Sequence, residues 1–370
     1  MAEQPLDDGT PGVPAAGHHS HAATGRQEDP TVLLAAAAGG DRRSLARLLT
    51  LVETGGERGR AAAALAYRSG AEPRTVGITG APGAGKSTLT GRLIAAARAG
   101  GVERLAVVAV DPTSPFSGGA VLGDRVRMQD HALDEGVYIR SMATRGHLGG
   151  LSLAVPEAVR VLGAAGMGLV LVETVGVGQV EVEVASATDT TVVVVNPRWG
   201  DAIQANKAGL MEIADIFVVN KADMPGARET VADLQQMLDL SGAGHGREPG
   251  ASGSDDLPGW RPPVVETVAA SGDGVDALWA AVTDHQRHLD RTGQLSERRR
   301  QRLERELRNV LDARIAAEVA ALGHGDLADV RTAVLAHEID PYAAADRLLS
   351  EVGRRASAGR HAPLHEPPGR

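Results

Sequence analysis

A glycine-rich stretch, GAPGAGKS at residues 80–87, has the composition needed to hold phosphate groups. It follows the apolar run TVGITG and precedes KSTLTGRLIAAARAG, so a strand is expected before it and a helix after it. Gly80 and Gly85 permit backbone conformations that a Cβ would hinder, and loop amides can then point at phosphate beside the helix N-terminus. Lys86 can reach the β- and γ-phosphates, and the Ser87 hydroxyl is placed to ligate Mg²⁺. The predicted contacts to the nucleotide phosphates are Gly80, Ala81, Pro82, Gly83, Ala84, Gly85, Lys86, Ser87 and Thr88.

The motif NKAD at residues 220–223 predicts which base accompanies the phosphates. It ends the apolar run IFVVN, downstream of the phosphate loop. The Asp223 carboxylate can accept two hydrogen bonds from guanine, at N1–H and at the exocyclic amine, whereas adenine offers no such pair. Asn220 would brace the base edge and the loop, and the stem of Lys221 can cover the base. We therefore predict GTP rather than ATP as the ligand.

A second base contact is expected after the last predicted strand, in VAAS at residues 268–271. GTPases carry a Ser-Ala-containing loop at this place, and Val268 here replaces the serine. The guanine O6 contact normally uses the next backbone N–H, which is that of Ala269. The predicted base-contacting residues of this loop are Val268, Ala269 and Ala270.

Three acidic residues lie where a magnesium site is expected. Asp111 and Glu173 end predicted strands, and Asp124 lies in GGAVLGDRVRM. Carboxylates at the carboxyl ends of strands face the ligand-binding edge of an open α/β sheet. Mg²⁺ needs only one or two protein oxygens beside phosphates and waters, so some of the acids would act through water. Asp111 could instead cap the turn in DPTSP, and Asp124 could be a surface acid. The predicted metal-site residues are Ser87, Asp111, Asp124 and Glu173.

The stretch LVLVETVGVGQ at residues 169–179 indicates a slow nucleotide switch. Many small GTPases place a water-orienting Gln directly after the switch glycine, but Val177 stands there and cannot hydrogen-bond to water. Gln179, two positions later, could take that role only after the loop moves. Glu173 could orient a metal-bound water or the nucleophile. Since phosphoryl transfer depends mainly on positioning and charge neutralisation, the predicted catalytic residues are Lys86, Glu173 and Gln179.

The elements around these motifs predict an α/β fold. Continuous apolar runs alternate with helical stretches, which indicates a mostly parallel sheet with helices on both faces. Helical patterns precede and follow this part. The long charged stretch 296–322 contains a basic run at residues 298–308, in which Glu304 and Glu306 favour a solvated helix face. An apolar stripe along the same helix suits packing or dimerisation, and its residues are Leu303, Leu307, Val310, Leu311 and Ile315.

Composition shifts divide the chain into five parts. A polar, low-hydrophobicity N-terminal tail is expected, followed by a helical segment, a nucleotide-binding domain, a second helical segment and a short disordered tail. The boundaries are 1–29, 30–73, 74–294, 295–355 and 356–370, respectively.

The net charge of −9 argues against a general nucleic-acid binder. The chain of 370 residues has no Cys and no long uncharged apolar run, so disulfides and a membrane span are not expected, and we predict a cytoplasmic protein.

With these residues in place, the chain resembles the MeaB/ArgK family of GTPases, which are associated with methylmalonyl-CoA mutase. The resemblance covers roughly residues 40–350. Its motifs are GAPGAGKST, DPTSPFSGGAVLGDRVRM, MATRGHLGGLS, LVETVGVGQ and GDAIQANKAGLMEIADIFVVNKAD.

The resemblance implies a homodimeric P-loop NTPase of the SIMIBI class (G3E-type) that binds GTP or GDP and Mg²⁺, with the C-terminal helices aiding dimerisation. It implies a chaperone of an adenosylcobalamin-dependent acyl-CoA mutase, in which GTP binding and hydrolysis gate cofactor loading and protect or reactivate the mutase. The adenosylcobalamin belongs to the mutase, and a cobalamin adenosyltransferase is a further candidate partner. Residues 198–207 match a mobile loop of the family, with Asp201 and Lys207 as its charged contacts.

Other functional classes fit the sequence less well. A nickel-insertion GTPase would need a Cys- and His-rich metal site, but the chain has no Cys, and the cluster His18, His19 and His21 lies in the expected tail. A transport ATPase is disfavoured by NKAD. A non-catalytic interaction protein is disfavoured by the complete phosphate loop and acids. We predict a low intrinsic GTPase rate that a partner raises by ordering the mobile loops.

Overall fold

The computed structural model describes residues 29–111, 131, 133–143, 154–174, 184, 186–197, 212–240, 259–322 and 324–360. In these ranges seven strands form one parallel sheet with the order β3-β2-β4-β1-β5-β6-β7. The strands are β1 (Arg74–Gly80), β2 (Leu105–Asp111), β3 (Val137–Ala143), β4 (Leu169–Thr174), β5 (Thr190–Val195), β6 (Ile216–Asn220) and β7 (Val264–Thr267). The predicted α/β fold with a parallel sheet is confirmed.

Helices lie on both sides of this sheet. The helices of the described residues are α1 (Pro30–Ala38), α2 (Arg42–Thr54), α3 (Gly56–Arg68), α4 (Lys86–Ala99), α5 (Ala154–Ala164), α6 (Ala227–Leu240), α7 (Val275–Thr292), α8 (Gln294–Ala320), α9 (His324–Leu335) and α10 (Pro341–Arg360). Strands β4 and β5 are buried along their whole length, because both faces of the sheet are covered.

Alternate residues of each strand enter different cores. In β2, Ala106 and Val108 pack with α1, α2, α3 and α5, whereas Leu105 and Val107 pack with α4 and α7. A smaller core on β5 and β6 includes Phe217 and is closed by α6. Successive side chains of a strand point to opposite faces of the sheet. The N-terminal helices therefore pack on one face, and α4, which follows the phosphate loop, packs on the other.

The C-terminal helices begin at Gly293, which has φ +71° and separates α7 from α8. The stripe predicted on α8 is exposed in this chain; Leu307 is 71% and Leu311 55% exposed. After α8 the buried side chains of Leu322 and Val330 mark a small core with α9 and α10. None of the helices among the residues described above is long and apolar enough to cross a membrane.

The last helix, α10, ends at Arg360, within the stretch 356–370 that is expected from the sequence to be a disordered tail. The bounds of that tail stay a prediction. The residues ASAGR at 356–360 do not terminate a helix, and the first helix-breaking proline after them is Pro363. Residues 361–370 lie outside the described residues, as do residues 1–28 of the N-terminal tail with its three His.

The solvated-face interpretation of the basic run is correct for only part of it. Arg299 and Arg302 both donate to the buried Asp189, and Arg298 forms a bidentate pair with Asp215. These carboxylates flank the amino ends of β5 and β6, so the arginines attach α8 to the sheet. Arg300, in contrast, pairs with Glu304 of its own helix, as predicted.

Candidate guanine nucleotide site

The phosphate loop leaves the central strand β1 and runs directly into α4. Gly80 has φ +133°, and a Cβ there would lie 2.0 Å from the carbonyl oxygen of Val194 on β5. Gly85 has φ +91°, and a Cβ there would lie 2.4 Å from Nδ2 of Asn220. Only glycine fits at these two positions, which explains the spacing of the motif. Gly85 has no side chain to cap the first turn of α4, and the N-terminus of a helix favours an anion.

Lys86 crosses this loop. Its Nζ donates to the carbonyl oxygens of Gly80 at 2.8 Å and Ala81 at 3.0 Å, and the residue is only 7% exposed. The ammonium therefore lies within the concave side of the loop, where phosphate oxygens would offer stronger, charged acceptors. Contact of Lys86 with the β- and γ-phosphates stays a prediction. Of the other predicted phosphate contacts, Pro82 and Gly83 are exposed and Thr88 is half-buried.

Ser87 and Glu173 meet beside the loop. Ser87 Oγ donates to Glu173 Oε1 at 2.6 Å, and both residues are buried. Glu173 lies on β4 in register with Ile78 of the neighbouring β1, which brings it next to the first turn of α4. A hydroxyl and a carboxylate are hard oxygen donors of the kind that Mg²⁺ prefers, so this pair fits the ion.

The other predicted metal and catalytic residues are described in part or not at all. Strand β2 ends at Asp111, at the same edge of the sheet as Glu173, but the Asp111 side chain lies outside the described residues. Asp124 and Gln179 also lie outside the described residues, together with Asp201 and Lys207 of the predicted mobile loop. Of the predicted metal and catalytic residues, the described part of the chain therefore brings together Lys86, Ser87 and Glu173.

Asn220 ties the phosphate loop to the base-binding side of the site. Its Nδ2 donates to the carbonyl oxygen of Ala84 at 2.7 Å. Its Oδ1 accepts from the amide of Ala269 at 3.0 Å and from Thr267 Oγ1 at 3.1 Å. Asn220 and Thr267 are register partners at the ends of β6 and β7, so the sheet sets this geometry. These contacts join the phosphate loop to the residues after β7, and contact of Asn220 with the base edge stays a prediction.

The next residues of NKAD lie in a turn over the phosphate loop. Lys221 has φ +60°, which is uncommon for a residue with a side chain, and its Nζ donates to the carbonyl oxygen of Gly83 at 2.9 Å. The turn is closed by the amide of Met224 donating to the carbonyl oxygen of Lys221 at 2.9 Å. Asp223 is exposed within this turn, so its carboxylate is accessible to a base.

The residues after β7, which we name the base loop (268–270), differ in one detail from expectation. The amide of Ala269, predicted to meet guanine O6, donates to Asn220 Oδ1. The amide of Val268 donates to the carbonyl oxygen of Asp273 at 2.9 Å. The amide of Ala270 has no acceptor among the described residues, and Ala270 is exposed. Among the described residues, the base-loop amide that remains available is therefore that of Ala270, and which amide meets guanine O6 stays a prediction.

Sequence reasoning missed one residue of the site, Arg92. It lies on α4, and its guanidinium donates to the carbonyl oxygens of Ala269 at 3.1 Å and Ala270 at 2.6 Å. No motif marks it, because an arginine on the polar side of a helix has the same sequence pattern whether it meets solvent or a distant loop.

Comparisons with known proteins agree with this geometry. The model of the family described as methylmalonyl-CoA mutase-associated GTPase MeaB matches residues 45–323. A protein of Pyrococcus abyssi, whose name designates it provisionally as a GTPase, is 50% identical over 314 residues, which are 85% of this chain and 94% of the relative. The GTPase ArgK of Escherichia coli is 36% identical over 270 residues, which are 71% of this chain and 77% of ArgK.

A solved structure is similar over nearly the whole chain. A crystal structure described as a LAO/AO transport system kinase has a TM-score of 0.62 and 27% sequence identity, and it covers 88% of this chain and 97% of its own. The shared fold therefore includes the helices that precede and follow the sheet.

Proposed function

Since this chain belongs to the MeaB family of methylmalonyl-CoA mutase-associated GTPases, we propose that it uses GTP to assist an adenosylcobalamin-dependent acyl-CoA mutase. The chain is a GTPase related to ArgK. In the proposed role, GTP binding and hydrolysis gate the loading of adenosylcobalamin into the mutase and protect or reactivate it. Methylmalonyl-CoA mutase is the first candidate because the family description names it.

The observation that carries the guanine assignment is the position of Asn220. One buried side chain holds Ala84 of the phosphate loop and Ala269 of the base loop at 2.7 and 3.0 Å. The proposed phosphate-binding and base-binding loops are therefore joined through one residue, and the exposed Asp223 lies three residues further along the chain. This arrangement suits a guanine nucleotide, whose N1–H and exocyclic amine need a carboxylate acceptor.

Mg²⁺ is the proposed metal. The ligands and water-mediated contacts are proposed to be Ser87, Asp111, Asp124 and Glu173. The ion would neutralise phosphate charge when bound. Lys86 would hold the β- and γ-phosphates, Glu173 would hold Ser87 in place and orient a water, and Gln179 would position the nucleophile. This set favours a low intrinsic rate, since Val177 cannot orient water as the usual Gln does.

The assembly state is also part of the proposal. Residues 30–73 and 295–355 are proposed as helical segments around a nucleotide-binding domain at 74–294, and the second segment as a dimerisation element. The stripe on α8 supports this, because Leu303, Leu307, Leu311 and Ile315 are between 37% and 71% exposed. A cobalamin adenosyltransferase is proposed as an additional partner. No group of three His, Cys, Asp or Glu that could hold a metal ion occurs among the described residues, and the three His of the N-terminal tail lie outside them.

The test is GTP turnover by the full chain, alone and with the purified cobalamin-dependent mutase from the same genome. We expect slow turnover alone and at least a severalfold increase with the mutase. Adenosylcobalamin loading, followed by the absorbance of the mutase-bound cofactor, should require GTP. The Lys86→Ala variant is the matched control, since it lacks the phosphate-loop ammonium but retains the exposed surface. Fast turnover that the mutase does not change would contradict the proposal.

A further inference from the structure

Arg92 connects the phosphate-loop helix to the base loop. Its Nε donates to the carbonyl oxygen of Ala269 at 3.1 Å, and one Nη donates to that of Ala270 at 2.6 Å. The same helix, α4, begins with Lys86 and Ser87. Arg92 is exposed, so it is not required to fill a core. A planar guanidinium holds two carbonyl oxygens at a fixed separation, which a single flexible ammonium does not do.

The hydrogen bond from Arg92 to the Ala269 carbonyl oxygen fixes the direction of the Ala270 N–H. In a trans peptide the C=O and the following N–H point in opposite directions, and no cis bond occurs among the described residues. With the Ala269 oxygen held toward α4, the Ala270 N–H points away from that helix. It is also the only base-loop amide without an acceptor among the described residues, since those of Val268 and Ala269 donate to Asp273 and Asn220.

We propose that Arg92 is a positioning residue for base selection, which aims the Ala270 amide at O6 of a bound guanine. The inference rests on the proposed guanine site. Guanine presents a carbonyl acceptor at position 6, whereas adenine presents an amine donor there. An N–H held in this direction can therefore donate a hydrogen bond to guanine but faces a second donor in adenine, so it favours guanine. It would act together with Asp223, which contacts the other side of the base.

Two guanine analogues separate these contacts. In 6-thio-GDP a weakly accepting, larger sulfur replaces O6, while N1–H and the exocyclic amine that Asp223 would accept are kept. IDP lacks the exocyclic amine but keeps O6 and N1–H. The ratio of dissociation constants for 6-thio-GDP and GDP therefore reports the Ala270 contact, and the ratio for IDP and GDP reports the Asp223 contact.

The experiment measures these dissociation constants calorimetrically, in Mg²⁺, for the full-length protein and three variants. Arg92→Met keeps most of the stem and removes the donors, and Arg92→Lys keeps the charge. Arg60→Met is the matched control, since Arg60 is an exposed arginine of α3. Thermal midpoints are recorded for each variant.

We expect the natural chain to prefer GDP over 6-thio-GDP by roughly tenfold, the effect of one good hydrogen bond to a buried acceptor. Arg92→Met should reduce that ratio to about threefold or less, with Arg92→Lys intermediate, while the IDP ratio and the thermal midpoint stay unchanged. Arg60→Met should behave as the natural chain.

Retention of the full 6-thio-GDP ratio in Arg92→Met overturns the inference. So does a parallel loss of both ratios with a lowered thermal midpoint, because that marks a general defect of the loop. A natural chain that does not distinguish IDP from GDP instead rejects the proposed guanine site itself. A natural chain that distinguishes IDP but not 6-thio-GDP rejects the Arg92 role alone.

Discussion

Ser87 Oγ donates a hydrogen bond of 2.6 Å to Glu173 Oε1, and so joins the first turn of α4 to strand β4. The two residues are 86 positions apart in the chain, and both are buried. A buried carboxylate is costly unless it is hydrogen-bonded or faces a cation. The hydrogen bond offsets part of that cost, and it holds these two oxygen atoms together at the edge of the sheet where the phosphate loop begins.

Replacement of Glu173 by Gln should remove the charge but keep an acceptor for Ser87. We expect GTP turnover to fall roughly 10²-fold, because a preorganised charge beside the phosphates is lost. GDP binding in the presence of EDTA should be unaffected, whereas the gain in affinity that Mg²⁺ gives should shrink. Steady-state phosphate release and calorimetry with and without Mg²⁺ check both results. Asp233→Asn, on the exposed side of α6, is the control for loss of one negative charge. Unchanged turnover and an unchanged response to Mg²⁺ would refute the role of Glu173.

Replacement of Asp223 by Asn should change the preferred base. An amide can donate to the oxygen that xanthine carries in place of the guanine amine, so GTP should be disfavoured and XTP favoured. We expect the ratio of kcat/KM for GTP over XTP to fall by roughly 10²-fold or more. Competition of GTP and XTP for turnover measures it, with Asp233→Asn again as the control. A variant that still selects guanine would show that Asp223 does not contact the base.

Much of the fold could be predicted from local patterns. The phosphate loop needs glycines where φ is positive, so GAPGAGKS identifies both a strand end and a helix start. The apolar runs at β4 and β5 are continuous because helices cover both faces of the sheet. The order of the strands is not a local property, and neither is the register that brings Glu173 beside Ile78.

The contacts of the site that could not be predicted from the sequence join segments that are far apart in the chain. Arg92 donates to main-chain carbonyls 177 and 178 positions away, and a carbonyl is present at every residue, so no residue type marks the partner. For the same reason the amide of Ala269 could not be assigned to Asn220 from the sequence. The basic run shows the same limit for charged residues. Arg299 and Arg300 are adjacent in the sequence, but their side chains are 16% and 58% exposed.

The stability of the protein should depend on the ionisation of Glu157, on α5. Partial burial, with a contribution from Glu306, raises the pKa of Glu157 to about 7, although Arg160 opposes the shift. Because the folded-state pKa lies above the ordinary value of 4.5 for a glutamate, the protonated form stabilises the fold, and this contribution is lost as the pH rises through about 7.

Glu157→Gln should therefore be more stable than the natural chain at pH 8.5, by about 1 kcal/mol after allowance for solvent screening, and similar to it at pH 5. Urea unfolding at both pH values measures this difference. The control is Asp233→Asn, which removes one exposed carboxylate of α6. A difference in stability that does not grow between pH 5 and 8.5 would contradict the assignment.

Adjacent arginines of α8 should differ in their effect on stability. The side chain of Arg299 is 16% exposed and donates to Asp189, whose side chain is fully buried. Burial raises the pKa of Asp189, but the hydrogen bonds and charges of Arg299 and Arg302 hold it below its ordinary value. Arg299→Gln leaves a buried carboxylate with one fewer cation, and we expect it to lower the free energy of unfolding by about 2–3 kcal/mol. The side chain of Arg300 is 58% exposed and pairs with Glu304 of the same helix. Arg300→Gln should therefore have no measurable effect on the free energy of unfolding. Urea unfolding at pH 7 compares the two, and equal losses would mean that Asp189 does not anchor α8 to the sheet.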